Sequence, residues 1–301
     1  MTSATANLRM TLRSVPFQFE ASNGHWNAAR PEFSQVVNSA SLAMPYLEPY
    51  LIRTMREARA QISDPVLLAE LDLYIRQEAA HFKQHRLFND TLRAAGYRCI
   101  DALESRLNED YTRLEKQRPL RFNLAYAEGF EAMALVIGQM LIEEREYLFG
   151  HSNPAVASLV LWHFVEEIEH KNVAYDVLHH LHPGYLLRIR GLCYATAHIF
   201  WRTRQGYKAL LREDGLWQSA ASRWALATVL FRVMRNLIPK WLRILKPGYH
   251  PSQVADPAWA LAWAALYREN SAGAARLDTS QLARDVPIPT HSHLTASQET
   301  P

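Results

Sequence analysis

The chain has 301 residues, 49% hydrophobic and 21% charged, with a formal net charge of +3. That is long enough for a sizeable core and too apolar for a disordered polymer. Two cysteines, Cys99 and Cys193, exclude a disulfide framework and a thiolate metal cage, and sparse glycine with no alternating β-branched runs argues against strands.

In chain order, residues 1–34 read as an irregular segment broken by Pro16 and Pro31. It lacks the continuous apolar core of a signal peptide, and the longest apolar run, about 191–201, is too short to span a bilayer. A cytoplasmic location is therefore expected. Apolar residues then recur at helical spacing to about Ile62, with Pro45 and Pro49 delaying the regular helix until near Pro49. Ser63-Asp64-Pro65 is a helix start signal for a long helix running to about Ala95. A short helix near 100–112 follows, then a third long helix from about Pro119 to before Gly150. Ser152-Asn153-Pro154 starts a fourth, which runs to about His180. Three more helical patterns lie near 185–213, 216–246 and 256–271. The expected organisation is a four-helix bundle over 35–184, C-terminal helices over 185–275 packing on it, and a disordered tail over 276–301. The fold class is all-α.

The chemistry sits on these helices. At about 100° per residue, Glu78, His81 and His85 share one stripe of the second long helix. On the fourth, His163, Glu166, Glu167 and His170 share another, while Glu169 and Lys171 point outward. The third helix carries Glu128 and Glu131 on one face, and Glu48 is a lone acid on an apolar stripe of the first. Two helices with Glu-x-x-His and two with a single Glu form the ligand set of ferritin-like di-iron and di-manganese bundles. Buried carboxylates are costly unless paired or metal-bound, and four of them balance two divalent ions. Oxygen and imidazole donors without thiolate suit iron, or else manganese, with zinc as an alternative. No zincin, P-loop, dinucleotide or nucleophile-elbow motif is present.

The stretches QEAAHFKQHRLFN (77–89), MPYLEPYL (44–51), AEGFEA (127–132) and WHFVEEIEHKNVAYDV (162–177) resemble the bacterial family of predicted metal-dependent hydrolases, whose fold is thought ferritin-like. By position, the resemblance implies Glu48, Glu78, His81, Glu128, Glu167 and His170 as ligands. His85, His163 and Glu166 are additional candidates, with Glu166 and His163 in catalytic roles. One departure is Gly129, where relatives usually carry a His.

A di-metal carboxylate site more often activates O2 than it hydrolyses a bond. The leading expectation is thus a di-iron oxidase or oxygenase acting on a small, acyl or amphiphilic substrate, with an electron-donor protein as partner. A hydrolase using metal-activated water, with Glu166 as general base, is the alternative, and metal or peroxide handling without an organic substrate is the third. Residues 186–247 hold twelve Lys or Arg against two acids and four of the eight tryptophans. This region admits a peripheral membrane contact, a homodimer interface or packing on the bundle; nothing supports nucleic-acid binding.

Overall fold

The computed structural model describes residues 8–20 and 24–287, and the described residues are helical without a strand element. Helix α1 (Pro31–Arg59) is followed by α2 (Pro65–Ala94), α3 (Ile100–Gln117), α4 (Leu120–Glu143) and the short α5 (Arg145–Phe149). Then come α6 (Pro154–Glu169), α7 (Val173–Leu181), α8 (Tyr185–Glu213), α9 (Ala220–Ile244) and α10 (Ala258–Glu269). Both expected start signals operate. Asp64 accepts from the Val66 and Leu67 amides ahead of α2, and Asn153 from Ala155 and Val156 ahead of α6, each with proline at the first helical position.

Helix α1 departs from expectation. It begins at Pro31 and runs through both Pro45 and Pro49. Each internal proline removes one main-chain hydrogen bond. Pro45 has no N–H for the carbonyl of Ser41, and that carbonyl accepts instead from Asn89 Nδ2 on α2 at 3.0 Å. The proline thus ties two helices together beside the site described below. The fourth long helix is also not continuous. It stops at Glu169, and His170 to Asn172 form a turn before α7 begins.

Helix α1 packs along α2, and α4 along α6, while α8 lies across α4 and α1 on the outside and α9 covers α4. The α4–α8 crossing is close because two glycines face it. A Cβ on Gly129 would come within 2.5 Å of the Leu192 backbone, and one on Gly191 would collide with the Ala125 carbonyl. The space that a side chain at position 129 would need is therefore occupied by a neighbouring helix. Helix α4 is itself long and apolar enough to cross a membrane, unlike the shorter run singled out from sequence, but 89% of that window is buried within the bundle.

Two boundary expectations change. Residues 276–287 are not a loose tail: Leu277 is fully buried, its N–H donates to Ser158 Oγ at 2.8 Å, and Thr279 Oγ1 donates to the Ser152 carbonyl at 2.8 Å. The rest of that tail, from 288, lies outside the described residues. The irregular N-terminal segment contributes Arg13, Val15 and Phe17 to the interior.

Gly191→Ala should lower stability by about 1–3 kcal/mol, the usual cost of overpacking. The check is a fall in urea midpoint with unchanged slope; an unaltered midpoint would mean the α4–α8 crossing can open at no cost.

Candidate metal centre

The four bundle helices bring Glu48 from α1, Glu78 and His81 from α2, Glu131 from α4, and His163 and Glu167 from α6 into one buried cluster, with His170 at the α6–α7 break completing it. Four overlapping groups have their donor atoms within 4.8 Å of one another. They are Glu78, Glu131, Glu167 and His170; Glu48, Glu78 and His81; His81, His163 and Glu167; and Glu48, His85 and His163. Glu78 and Glu167 each belong to two of them.

The orientation of each imidazole follows from its outward partner. His81 Nε2 donates to Glu166 Oε2 at 3.0 Å, which turns Nδ1 inward, 3.6 Å from both Glu78 Oε1 and Glu167 Oε1. His170 Nδ1 donates to Gln77 Oε1 at 3.2 Å. Gln77 is oriented by its own donation to the Thr11 carbonyl and Glu169 Oε2, so its oxygen must face the ring. His170 Nε2 then sits 3.3 Å from carboxylate oxygens of Glu78, Glu131 and Glu167 at once.

His163 is set by a longer relay. Asn89 spends its NH2 on the Ser41 carbonyl, so its Oδ1 accepts the Ser41 hydroxyl at 2.6 Å. Ser41 Oγ can then only accept, from His85 Nδ1 at 2.8 Å. That leaves His85 Nε2 to accept from His163 Nδ1 at 2.7 Å. The remaining His163 nitrogen, Nε2, faces Glu167 Oε1 at 3.0 Å and Glu48 Oε1 at 3.9 Å.

His81 and His170, anchored outward with their other nitrogen aimed at carboxylates, have the arrangement of metal ligands held by hydrogen-bonded supports, and His163 is anchored the same way beside them. A second observation agrees. Both oxygens of Glu48 and of Glu78, Glu131 Oε2, Glu167 Oε1 and His81 Nδ1 are buried without any hydrogen-bond partner. Orphaned carboxylate oxygens in a core are strongly unfavourable unless a cation reaches them. The residues fit divalent metal ions.

Several sequence assignments change. Glu128, expected as a ligand, stands apart: it faces Arg188 Nη1 at 3.6 Å, and burial pushes its carboxyl up to about 8 against the pull of that arginine. Glu131, one turn on, takes the place in the cluster, and Tyr74 donates to its Oε1 at 2.6 Å. Glu166 is no free base. Its oxygens accept from His81, from Arg13 Nη1 at 3.0 Å and from Trp162 Nε1 at 2.9 Å. Although burial works the other way, those bonds and charges hold its carboxyl below the usual range. Glu169 and Lys171 do not face out. Glu169 is buried against Arg13 and Gln77, and Lys171 against Asp256. His85 lies behind His163 and in one of the four groups. Asp176, Tyr126 and Tyr175, near the ligand stretches in sequence, bond or stack elsewhere, on His250, His198 and His179 respectively.

Sequence reasoning missed Arg13, Gln77, Ser41 and Asn89. Arg13 comes from the irregular N-terminal segment and bridges Glu166 and Glu169 while lying 5.5 Å from the Trp263 and Tyr267 ring centres. No periodicity announces such a residue. Gln77 and Asn89 carried a weak signal, as amides beside and one turn beyond the Glu-x-x-His stripe.

In the metal-free protein, protons take the place of cations. Burial, then the charge of Glu78, holds Glu48 far above its ordinary value, and burial with the charge of Glu167 pushes Glu131 up to about 8. Burial opposes charge on His81 and His170, but the surrounding carboxylates outweigh it and raise both. These four groups must release protons for a cation to bind, so affinity should rise with pH through about 8. Metal titration at pH 6 and pH 8 in buffers of different ionisation enthalpy checks this. Tighter binding at pH 8 with net proton release is expected. A second test separates neighbours: Glu131→Gln should weaken metal binding about 10- to 100-fold, the size seen for disturbed sites, whereas Glu128→Gln should leave it unchanged.

No curated protein and no solved structure matches the chain at a significant level. A family model does, described as predicted metal-dependent hydrolase, over residues 11–255. That span takes in Arg13, all four bundle helices and every residue of the cluster, and the chain belongs to this family.

Proposed function

We propose that the chain is a hydrolase working with two divalent cations, and that the leading expectation from sequence, an O2-activating di-iron enzyme, is the second reading. The observation that carries the proposal is the overlap of the donor groups through Glu78 and Glu167. Such sharing would let Glu78 and Glu167 serve both positions of a two-metal hydrolytic centre. Glu131 and His170 would complete one position, and Glu48 and His81 the other. The family description favours the same chemistry. When bound, the cations would supply a Lewis acid and lower the pKa of a water toward neutrality.

The protein's own groups do the rest. His163 is the base: its Nε2 faces the cluster unprotonated, and burial and the neighbouring His81 hold its pKa below the ordinary value. A proton taken at Nε2 gives an imidazolium that Glu167 stabilises at 3.0 Å, while Nδ1–H stays on His85. His85, kept neutral by burial, Ser41 and Asn89 hold that ring in place. Glu166, Arg13 and Gln77 orient His81 and His170. Both His85 and His163 line a cavity of about 540 Å3, which gives a substrate access to the base.

A specific observation keeps the second reading. The cavity wall is apolar apart from Ser41, His85, His163, Thr203, Arg204 and Tyr207, and paired Glu-x-x-His motifs are the donor set of di-iron bundles. Such a wall suits oxidation of a hydrocarbon as well as an ester.

Loading the protein separately with Zn(II), Mn(II) and Fe(II) distinguishes the two. Hydrolysis of a p-nitrophenyl acyl ester under argon by the zinc or manganese form, lowered about 10²- to 10⁴-fold by His163→Ala, is expected. O2 uptake by the Fe(II) form with no hydrolysis by any form would replace the first reading by the second.

A further inference from the structure

The cavity that reaches His163 has two unlike ends. Its inner end is formed by His85 and His163, both already engaged with each other. Its walls are contributed by α1, α4, α6, α8 and α9, and include Phe130, Met133, Ile137 and Leu237. Its outer end lies where exposed residues of α8 also line it. There Trp201 is 55% exposed, Phe200 37%, and Arg204 stands beside half-buried Tyr207. Arg204 has no carboxylate partner among the described residues, in a stretch of α8 and α9 whose arginines greatly outnumber its acids.

We propose that this cavity binds a single-chain anionic amphiphile, such as a fatty acid or its acyl derivative. Its hydrocarbon chain would lie along the apolar walls and its anionic group at Arg204 and Tyr207. Three features select this class. The volume, about 540 Å3, lies within the range of small-molecule sites. Apart from Ser41, whose hydroxyl is already bonded to His85 and Asn89, and Thr203 beside Arg204, the walls between the two ends are apolar, so a polar or branched-polar ligand would lose hydrogen bonds on entering. Among the described residues lining the cavity the one Lys, Arg, Asp or Glu is Arg204, which favours an anion and disfavours a cationic amphiphile of the same length. The exposed Phe200 and Trp201 form an aromatic surface by the mouth that an amphiphile can cross without leaving apolar contact. The inner part of the chain would thereby lie beside His163, so a bond hydrolysed there would sit toward that inner end, away from the anionic group at Arg204. The proposal rests on the reading that the cavity is the substrate's route to the metal centre, although the binding itself does not depend on the reaction.

The test uses the full-length protein loaded with Zn(II), titrated calorimetrically with hexanoate, dodecanoate and dodecylammonium below their aggregation limits. Dodecanoate should bind saturably. Affinity should rise about four-fold per added methylene, the ~0.8 kcal/mol of a buried CH2, and dodecylammonium should bind at least ten-fold more weakly. Val37→Trp places bulk in the outer cavity at a part-exposed position of α1, far along the helix from Glu48, and should abolish binding while metal content is kept. Arg204→Glu should weaken dodecanoate at least ten-fold and improve dodecylammonium. Equal affinity for hexanoate and dodecanoate, indifference to Val37→Trp, or indifference to Arg204→Glu would each overturn the assignment. Saturable dodecanoate binding without ester hydrolysis would reject the hydrolase reading and leave this one standing. Hydrolysis of a short ester without dodecanoate binding would do the reverse.

Discussion

Four carboxylates, Glu48, Glu78, Glu131 and Glu167, meet in the core of this bundle with at most 2% of any of them exposed. Isolated ionised carboxyls in such surroundings are strongly disfavoured. Something positive must be among them, and without a cation the same burial and charge push Glu48 and Glu131 up and the surrounding carboxylates raise His81 and His170, which favours protons in the cluster. Divalent cations meet the need better, because each replaces several protons and satisfies oxygens that otherwise have no hydrogen-bond partner. The remaining structure is organised around holding that cluster in one geometry.

The holding is done from outside. Glu166, Gln77 and the His85–Ser41–Asn89 relay each take the outward nitrogen of one imidazole. These supports are themselves anchored by features that would be liabilities elsewhere. Pro45 interrupts the hydrogen bonding of α1, and the carbonyl it frees orients Asn89. The break after Glu169 interrupts a helix and lets His170 turn toward three carboxylates. Arg13, from a segment with no regular structure, neutralises Glu166 and Glu169 together. Buried ion pairs of this kind add little net stability; their value here lies in orienting a ligand.

The same packing separates the centre from its surroundings. Gly129 and Gly191 let α8 press against α4, which places Arg188 opposite Glu128 and takes that acid out of the cluster. Farther along, α8 and α9 line an apolar cavity leading back to His163. One helix thus closes the bundle at one point and forms a wall of its access route at another. The basic, aromatic character of residues 186–247 divides accordingly. Some arginines, such as Arg188 and Arg202, are held by buried acids, while Arg204 stands at the cavity mouth.

The sequence by itself determined the helical class, the capped starts of α2 and α6, and the pairing of Glu78-x-x-His81 with Glu167-x-x-His170. All of these are local or periodic, and helical spacing of three residues dictates a shared face whatever the rest of the chain does. The tertiary structure alone decided between Glu128 and Glu131, which occupy similar faces of α4. The choice depended on where α8 crosses and which acid an arginine 60 residues away reaches, and no periodicity encodes that. It also set Glu166 among donors from Arg13, His81 and Trp162, two of which come from distant segments. The α6–α7 break, the continuity of α1 through two prolines and the burial of Leu277, Thr279 and Leu282 belong to the same class. Each is a local preference overruled by long-range contacts, and single-sequence patterns carry only the preference.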